Sequence, residues 1–462
     1  MIKEKYPSNI NTVMDIKIVV IGIGEVGFNL TKTLSKENYD ITAIDISPEK
    51  CQRIKNSIDA RVIEGDGASQ RILQNIDMPQ IDYLLALTRI DEVNLVAAKS
   101  AYEMGAKKII CRLRNTEYSH RNAIITPDQF GIDYVVYPER AAQRDIENLI
   151  RQTSAIDLEE FKDGKINMVG ILLDHSSPLI GRNVKNVELS NPYIPHKLAL
   201  ILRDNESFIP HNDTAFKKGD IAYFIGKAED MPEIQKMAGK PAFKVKNVMI
   251  LGAGKIGRLL AKSLQSDYNV RIIENNHEKA KKVGKKLTDT LILDADGLDV
   301  DFLASENIQE TDCFIAATES EQTNILASLL VKHYGVKQVI LHITTTNYIR
   351  AVRRIGVDAV VSKNISAVNE VLNFIRSDQQ DLPISRFEDI NVDALELTVT
   401  QDCKYIRKRL TLEQIQEDLC IGSISRNGEL IIPNPHTEIH PGDELLLITK
   451  EENIPKAEKL FQ

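Results

Sequence analysis

The sequence predicts an α/β protein written twice: two tandem doubly wound parallel sheets, each followed by a small β-rich α+β domain. Three observations predict it. Apolar strand-like runs alternate with amphipathic helical runs, a glycine-marked strand-to-helix turn occurs twice, and the second half of the chain repeats the first in register.

The register is the most restrictive of the three. An offset of 230 carries Gly22, Gly24 and Gly27 onto Gly252, Gly254 and Gly257. It also carries Asp66 and Gly67 onto Asp296 and Gly297, Thr88 onto Thr318, Asn94 onto Asn324, and Gly105 onto Gly335. Further on the offset slips to 225 (GIDYVVYP from Gly131 against GVDAVVSK from Gly356) and then to 223. Small slips belong in surface loops, where insertions cost little.

Taken in order, residues 1–14 read as a flexible lead-in, with Met1 and Met14 as alternative starts. Residues 15–140 hold the first parallel sheet, from apolar runs at 16–21, 41–45, 61–63, 83–87, 108–113 and 133–137. Residues 141–232 add an amphipathic helix and the first small domain, and 233–244 form a linker. The second parallel sheet occupies 245–365, and 366–462 supply its helix and small domain. The helix from Pro138 to Gln152 carries a stripe of Ala142, Ile146, Leu149 and Ile150; its counterpart carries Ala367, Val371, Leu372 and Ile375. Such a stripe fits ordinary core packing, or a helix that crosses to a partner subunit. Each small domain ends in a Gly-Asp turn that delivers a buried strand, KKGDIAYFIGK and HPGDELLLITK.

Composition narrows the function classes. The 462 residues include 58 Lys+Arg against 66 Asp+Glu, a formal charge of −8 with no basic block, so nucleic acid is not an expected partner. Five scattered cysteines without a CxxC spacing suit reduced thiols and offer no structural zinc site. No apolar run approaches the roughly 18 residues of a membrane span, and no signal-peptide pattern precedes the first strand. The expectation is a soluble cytoplasmic protein without direct membrane insertion.

In each repeat a strand feeds a G-x-G-x-x-G turn that opens a helix, Gly22-Ile23-Gly24-Glu25-Val26-Gly27 and Gly252-Ala253-Gly254-Lys255-Ile256-Gly257. The first glycine makes the turn, the second lets a pyrophosphate approach the backbone, and the third packs helix on strand. The helix N-terminus then offers free N–H groups to phosphate. The next strand ends in an acid each time, Asp45 and Glu274. Such a carboxylate accepts the ribose hydroxyls of a dinucleotide and repels a 2′-phosphate. The sheets are therefore expected to be Rossmann-like and to bind a nucleotide.

Other residues fall at the carboxyl ends of the strands, where such sheets bind ligands. In the first repeat these are Asp66, Gly67, Thr88, Arg89 and Arg112; in the second, Asp296, Thr318, Glu319 and His342. Arg112 could pair with a diphosphate, stack on a base, or form a structural ion pair. With Glu319 for Arg89 and His342 for Arg112, the second site should hold a diphosphate less tightly or select another nucleotide. No histidine, His120, His211, His333 and His436 included, stands in an acid–base or metal spacing, and no Walker lysine follows either loop. The reading assigns no catalytic residue and no metal ligand: ligand binding without chemistry.

A unit carrying GIGEVG, AID, EGDGAS and ALTRIDEVN ahead of a small β-rich domain resembles the RCK (regulator of potassium conductance) module. Two such modules in one chain are similar to the NAD-binding peripheral components of Trk potassium-uptake systems, with TESEQTN answering TRIDEVN in the second copy. The resemblance covers Asp15 to Gln462. It implies a homo-oligomer, a tetramer whose paired modules complete a ring, peripheral to the cytoplasmic face of the membrane beneath a Trk-type potassium-channel subunit. It further implies that NAD(H), with ATP or ADP as alternatives, binds the clefts and gates the pore. Carried across, Gly22 to Val26, Asp45, Thr88, Arg89 and Arg112 form site one, and Gly252 to Ile256, Glu274 and Thr318 form site two. A NAD-linked oxidoreductase and the regulatory part of a cation antiporter stand as alternative readings.

Overall fold

The computed structural model describes residues 16–461 other than 38, 121, 205, 346–347, 355, 379–383, 388–391, 402, 404–405, 407–418 and 435. The lead-in at 1–14 and the alternative starts Met1 and Met14 lie outside the described residues. The chain divides into two compact units, one reaching to Ala141 and taking in Asn364–Leu372, the other holding Ala142–Lys363 and the residues from Asn373 onward.

In the first unit, β1 (Lys17–Ile21), β2 (Asp40–Asp45), β3 (Arg61–Glu64), β4 (Tyr83–Ala86), β5 (Lys108–Arg112) and β6 (Tyr134–Val136) form one parallel sheet. Their order, β3-β2-β1-β4-β5-β6, reverses direction between β1 and β4. That is the switch point at which doubly wound sheets open a crevice. Helices α1 (Glu25–Lys36), α2 (Pro48–Ser57), α3 (Gln70–Leu73) and α4 (Asp91–Glu103) connect the strands. The central strands β1 and β4 are apolar and buried almost throughout, as strands covered on both faces are, which is why they read as continuous apolar runs, whereas the edge strand β3 is exposed or half-buried.

Helix α5 (Pro138–Arg151) leaves this sheet. Its stripe, Ala142, Ile146, Leu149 and Ile150, is buried in one core with Val248, Ile250, Leu260 and Ile315 of the second repeat. A carbonyl of the same helix, that of Leu149, accepts from Gln338 Nε2 at 2.9 Å. The stripe is therefore neither packed on its own sheet nor committed to another subunit: it crosses to the other repeat of its own chain.

The first small domain contains β7 (Asp157–Phe161), β8 (Ile166–Leu172), β9 (Lys197–Arg203), β10 (Glu206–Phe208) and β11 (Ile221–Lys227), an antiparallel sheet ordered β10-β9-β11-β8-β7. Helix α6 (Val184–Ser190) and helix α7 (Met231–Met237) cover one face, with Val187, Met231 and Ile234 in its core.

The second parallel sheet repeats the first: β12 (Asn247–Leu251), β13 (Asn269–Glu274), β14 (Thr290–Asp294), β15 (Cys313–Ala316), β16 (Gln338–Ile343) and β17 (Ala359–Ser362), ordered β14-β13-β12-β15-β16-β17. Helices α8 (Lys255–Leu264), α9 (His277–Gly284), α10 (Val300–Ser305), α11 (Glu321–His333) and α12 (Ile349–Arg354) accompany it. Helix α13 (Lys363–Asp378) then makes the reciprocal crossing, since its residues Asn364–Leu372 belong to the first unit. Tyr134 of β6 donates its hydroxyl to Glu370 of this helix at 2.8 Å.

The second small sheet, β18 (Ile384–Phe387), β19 (Val392–Thr398), β20 (Leu419–Arg426), β21 (Glu429–Ile431) and β22 (Glu444–Thr449), is ordered β18-β19-β22-β20-β21 and followed by α14 (Ile454–Phe461). The two small sheets share a core in which Met168, Leu200 and Ile225 meet Ala394, Leu446 and Ile448. A β carbon on Gly422 would come within 2.5 Å of Ile225 Cδ1, so a glycine is what allows the sheets to approach there. Lys162 joins the rim of this contact, donating to Glu396 at 2.6 Å and to Glu444 at 2.9 Å.

The Gly-Asp turns have matching roles. Asp220 takes a bidentate pair from Arg203 (2.7 and 2.8 Å) and the Lys217 N–H; Asp443 takes the same from Arg426 (2.8 and 2.8 Å) and the His440 N–H. Both carboxylates are buried, so each turn is anchored by an ion pair whose hydrogen bonds are satisfied.

Candidate nucleotide-binding clefts

The first cleft begins where β1 ends. Gly22 adopts φ +94°, and a β carbon there would lie 2.8 Å from the Thr88 nitrogen, so the turn admits no side chain. Gly27 is equally constrained, because its β carbon would stand 2.0 Å from the Gly22 carbonyl oxygen. Gly24 differs: a β carbon there would meet nothing within 4 Å. It is the N-cap of α1 and supplies no capping side chain, so the first N–H groups of the helix face open space. The second cleft repeats the pattern, with φ +102° at Gly252, a 2.0 Å clash at Gly257, and only the Ala317 carbonyl oxygen at 3.7 Å from Gly254. The middle glycine of each loop therefore leaves room for a phosphate group over a helix N-terminus.

The acids at the ends of β2 and β13 hold these loops as well as facing them. Asp45 accepts the Ile23 N–H at 2.6 Å, the Ser47 N–H at 2.9 Å and Lys50 Nζ at 3.2 Å. Glu274 accepts the Ala253 N–H at 3.0 Å, the Asn276 N–H at 3.1 Å and Lys279 Nζ at 2.6 Å. Burial raises the Glu274 pKa, but the lysine and the two N–H groups outweigh it and keep the carboxyl below its ordinary range. A carboxylate has about four acceptor positions, so each acid retains capacity for a ribose hydroxyl. The two lysines, five residues beyond their acids, were not singled out by the sequence reading; the equal spacing in both repeats was the signal.

The threonine segments turn out to be clamps. Asn94 Oδ1 accepts the Thr88 N–H (2.9 Å) and hydroxyl (2.6 Å), while its Nδ2 donates to the carbonyls of Thr88 (3.1 Å) and Arg112 (2.8 Å). Asn324 does the same for Thr318 (2.9 and 2.6 Å), with its Nδ2 at 3.1 Å from the carbonyls of both Thr318 and His342. Each asparagine thus ties the end of one strand to the end of the next, beside the switch point. Asp91 and Glu321 secure the following loop, accepting backbone N–H groups of Arg114 and Asn115, and of Thr344 and Thr345. Thr88 and Thr318 shape the clefts, and their hydroxyls are already engaged.

Asp66 and Asp296 are exposed at the mouths of the clefts, where each accepts the N–H two residues on (Ala68, 2.9 Å; Leu298, 3.0 Å). Gly67 and Gly297 are buried under them, because a β carbon would strike Ile21 or Leu251 at about 2 Å (2.1 and 2.2 Å). These glycines are required by packing on the central strand.

The cations differ between the clefts. Arg112, on β5, has a buried Nε with no hydrogen-bond partner among the described residues. Burial lowers its guanidinium pKa, the Glu139 carboxylate opposes that, and Arg114 and Arg89 add to it. A buried, unsatisfied guanidinium donor is costly on its own and is suited to an anion. Arg89 is exposed at the rim. The second cleft has an exposed Glu319 and a buried His342 at these positions. It gains cations elsewhere: Lys255 and Arg258 open α8 where the first repeat has Glu25 and Phe28. Arg258 donates to the carbonyl of Ala253, inside the glycine loop, at 2.9 Å. The second repeat thus carries cations at the start of the loop helix where the first has none. The repeat alignment already placed Arg258 opposite Phe28.

Among the described residues no set of three His, Cys, Asp or Glu side chains is placed to hold a metal, and all five cysteines are buried. No helix among them is long and apolar enough to cross a membrane.

Comparison with known proteins follows the same division. The TrkA-N domain family matches residues 18–138 and 248–363, and the TrkA-C domain family matches 168–239 and 394–462. The chain is 30% identical over 456 residues to the Trk system potassium uptake protein TrkA homolog 1 of Methanosarcina mazei, covering 97% of this chain and 100% of that one. It is 26% identical over 453 residues to the Trk system potassium uptake protein TrkA of Vibrio alginolyticus, covering 97% and 99%. Among solved structures, the GsuK RCK domain shares the fold at a TM-score of 0.58 and 16% identity, over 99% of this chain and 96% of that one. The GsuK channel bound to NAD gives 0.57 at 16% identity, over 99% and 80%. Matched twice over by both domain families and along its full length by their curated members, the chain belongs to the TrkA family, the regulatory, non-enzymatic components of Trk potassium uptake.

Proposed function

We propose that this chain senses NAD(H), with ATP or ADP as competitors, and gates a Trk-type potassium-channel subunit from the cytoplasmic face of the membrane. The observation that carries the reading is the duplicated loop: an open middle glycine at a helix N-terminus, an acid on the neighbouring strand, and, in the first cleft, a buried arginine Nε with no hydrogen-bond partner among the described residues. In site one the N–H groups beyond Gly24 and the Arg112 guanidinium take the diphosphate, Arg89 closes the rim, and Asp45 takes a ribose hydroxyl. In site two Lys255 and Arg258 take the anion from the helix side, beside Glu274. Each pairing of a parallel-sheet domain (15–140 and 245–365) with its small domain acts as one module, and four chains close a ring beneath the pore.

A nucleotide moves such a ring only through a difference in affinity between its shapes. A preference of about 100-fold supplies roughly 2.7 kcal/mol per occupied site. The test is affinity capture from detergent-solubilised membranes, with the retained protein identified by mass spectrometry. A Trk-type channel subunit is the expected partner; an antiporter subunit, or no membrane protein at all, overturns the gating assignment.

A further inference from the structure

The chain is acidic as a whole, yet one short segment of the second repeat gathers positive charge on a single exposed face. Helix α9 and the turn after it read HEKAKKVGKK, His277 to Lys286. Ala280, Val283 and Leu287 are buried and fix this segment to the protein. At about 100° per residue, Lys281, Lys282, Lys285 and Lys286 fall within an arc of about 140° on the opposite side. All four are exposed. The turn carries on past Gly284, since the Lys285 N–H donates to the Lys281 carbonyl at 3.4 Å and the Lys286 N–H to that of Val283 at 2.9 Å. Lys279 is held by Glu274 at 2.6 Å; none of the other four makes an ion pair or side-chain hydrogen bond among the described residues. Folding does not ask for this arrangement. Like charges four residues apart, Lys281 with Lys285 and Lys282 with Lys286, repel one another. The helix dipole favours cations only within the last turn, short of Lys285 and Lys286. The first repeat does without the cluster: the offset of 229 that carries Asp45 onto Glu274 puts Gln52, Arg53, Asn56 and Ser57 at the four positions. Its one cation there, Arg53, is stacked on the Phe28 ring, 3.6 Å from the centre.

We infer that this lysine face docks on an anionic lipid surface and sets the second parallel-sheet domain against the headgroups of a membrane. The chemistry of the face chooses that occupant. Helix α9 presents ammonium groups on flexible stems, with no arginine and no Phe, Tyr or Trp among its residues. Nucleic acid and folded acidic partners are recognised through bidentate forks, stacking and aromatic anchors. A plane of lipid phosphates asks only for a density of positive charge, and each lysine at its surface gains about fivefold in affinity. The formal charge of −8 does not forbid the contact. Charges act across water within a Debye length, about 8 Å at physiological ionic strength. Acids farther than that from the surface are screened, while lysines that touch it are not. Four lysines at about fivefold each multiply to several hundredfold, enough to orient and retain the chain at a surface without burying an apolar side chain in it. The contact goes beyond the gating reading, because it needs no channel subunit.

The experiment is flotation of the full chain with protein-free vesicles, of phosphatidylcholine alone or of phosphatidylcholine mixed with phosphatidylglycerol. Wild type is compared with Lys282→Gln/Lys286→Gln and with Lys32→Gln/Lys55→Gln, which removes the same charge from exposed positions of the first repeat. Circular dichroism checks that each variant is folded, and Lys281→Gln/Lys285→Gln serves if the first pair is not. Wild type should float with the anionic vesicles and stay behind with the neutral ones. It should be released as salt approaches about 1 M, where the Debye length falls to about 3 Å. The patch pair should weaken binding about 25-fold, and the control pair by less than about twofold. Equal losses for the two pairs, or no wild-type binding to the anionic vesicles, overturns the inference. So does a wild type that ignores the vesicles but retains an RNA oligomer or polyglutamate through the same lysines. Because the vesicles hold no channel subunit and no nucleotide is added, a failure here leaves the nucleotide-gating reading standing.

Discussion

Replacing Gly24 with aspartate should leave the fold intact while abolishing nucleotide binding at site one. Gly24 sits at φ −78°, ψ −167°, a backbone any residue adopts, and a β carbon there has no neighbour within 4 Å. It is also an N-cap without a side chain, and aspartate is among the best N-caps, worth a few tenths of a kcal/mol over glycine. A carboxylate at a helix N-terminus contributes roughly 0.3–1 kcal/mol more. The apo variant should therefore melt at the wild-type temperature or slightly above. The same carboxylate occupies the space over the helix N-terminus and repels a diphosphate. At a ligand concentration of about 100 times Kd, wild type gains roughly 2.7 kcal/mol from an occupied site. At about 2–4 °C per kcal/mol for a domain of 150–250 residues, that is a rise of roughly 5–10 °C. Differential scanning calorimetry with and without NADH, for wild type and Gly24→Asp, reads both quantities. A variant that keeps the full rise refutes the placement of the phosphates, and one that unfolds without ligand refutes the claim that position 24 is open.

Gly27→Ala should behave oppositely and destabilise the fold by several kcal/mol, about the 1–3 kcal/mol of overpacking or more, because its β carbon would lie 2.0 Å from a backbone oxygen; urea unfolding measures it, and a near-neutral result contradicts the packing role. NADP(H) should bind site one at least about tenfold more weakly than NAD(H), since Asp45 faces the 2′ position, and equal affinities by calorimetry would remove that assignment from the acid. Stability should also fall in acid: burial raises the Asp443 pKa, but Arg426 and the His440 N–H outweigh it and hold the carboxyl below its ordinary value. A depressed carboxylate pKa contributes stability above the unfolded pKa of about 3.9 that is lost as pH falls through the folded value. Melting temperature should be flat from about pH 7 to 5 and drop below about pH 4, and Asp443→Asn should cost about 3 kcal/mol at neutral pH by stranding Arg426; an unchanged melting temperature at pH 7 would show that this pair does not anchor the turn.

What the sequence made legible is whatever repeats or has a period. The two glycine loops, the six apolar runs of the first parallel sheet and the Gly-Asp turns are written locally, in spacing and in apolar runs, and the structure places a turn or a strand at each of them and repeats the sheet order in the second copy. The destination of α5 was not legible. An apolar stripe states that Ala142, Ile146 and Leu149 are buried, but any apolar sheet satisfies it, and the sheet they chose begins about a hundred residues downstream. The shared core of the small domains is hidden for the same reason, since alternation shows which face of a strand is buried and not what lies opposite. Within the clefts, glycine roles followed from the motif, while the Asn94 and Asn324 clamps were visible only as matched residues. Their function needed the geometry, because an asparagine bonding two strand ends looks in sequence like one lining a ligand site. The comparison of Arg89 and Arg112 with Glu319 and His342 was legible from the repeat, while the contact of Arg258 with the carbonyl of Ala253, at a position occupied by Phe28 in the first repeat, needed the geometry.

The central claim, that nucleotide occupancy of these clefts controls potassium movement through a separate membrane subunit, is tested most directly by flux. A Trk-type channel subunit reconstituted in liposomes would be assayed for potassium uptake with this chain added, in the presence and absence of NADH, using wild type and Gly24→Asp. The account predicts that NADH changes the flux supported by wild type and leaves that supported by Gly24→Asp unaltered. A flux indifferent to NADH with wild type, or equally responsive with the variant, would contradict it.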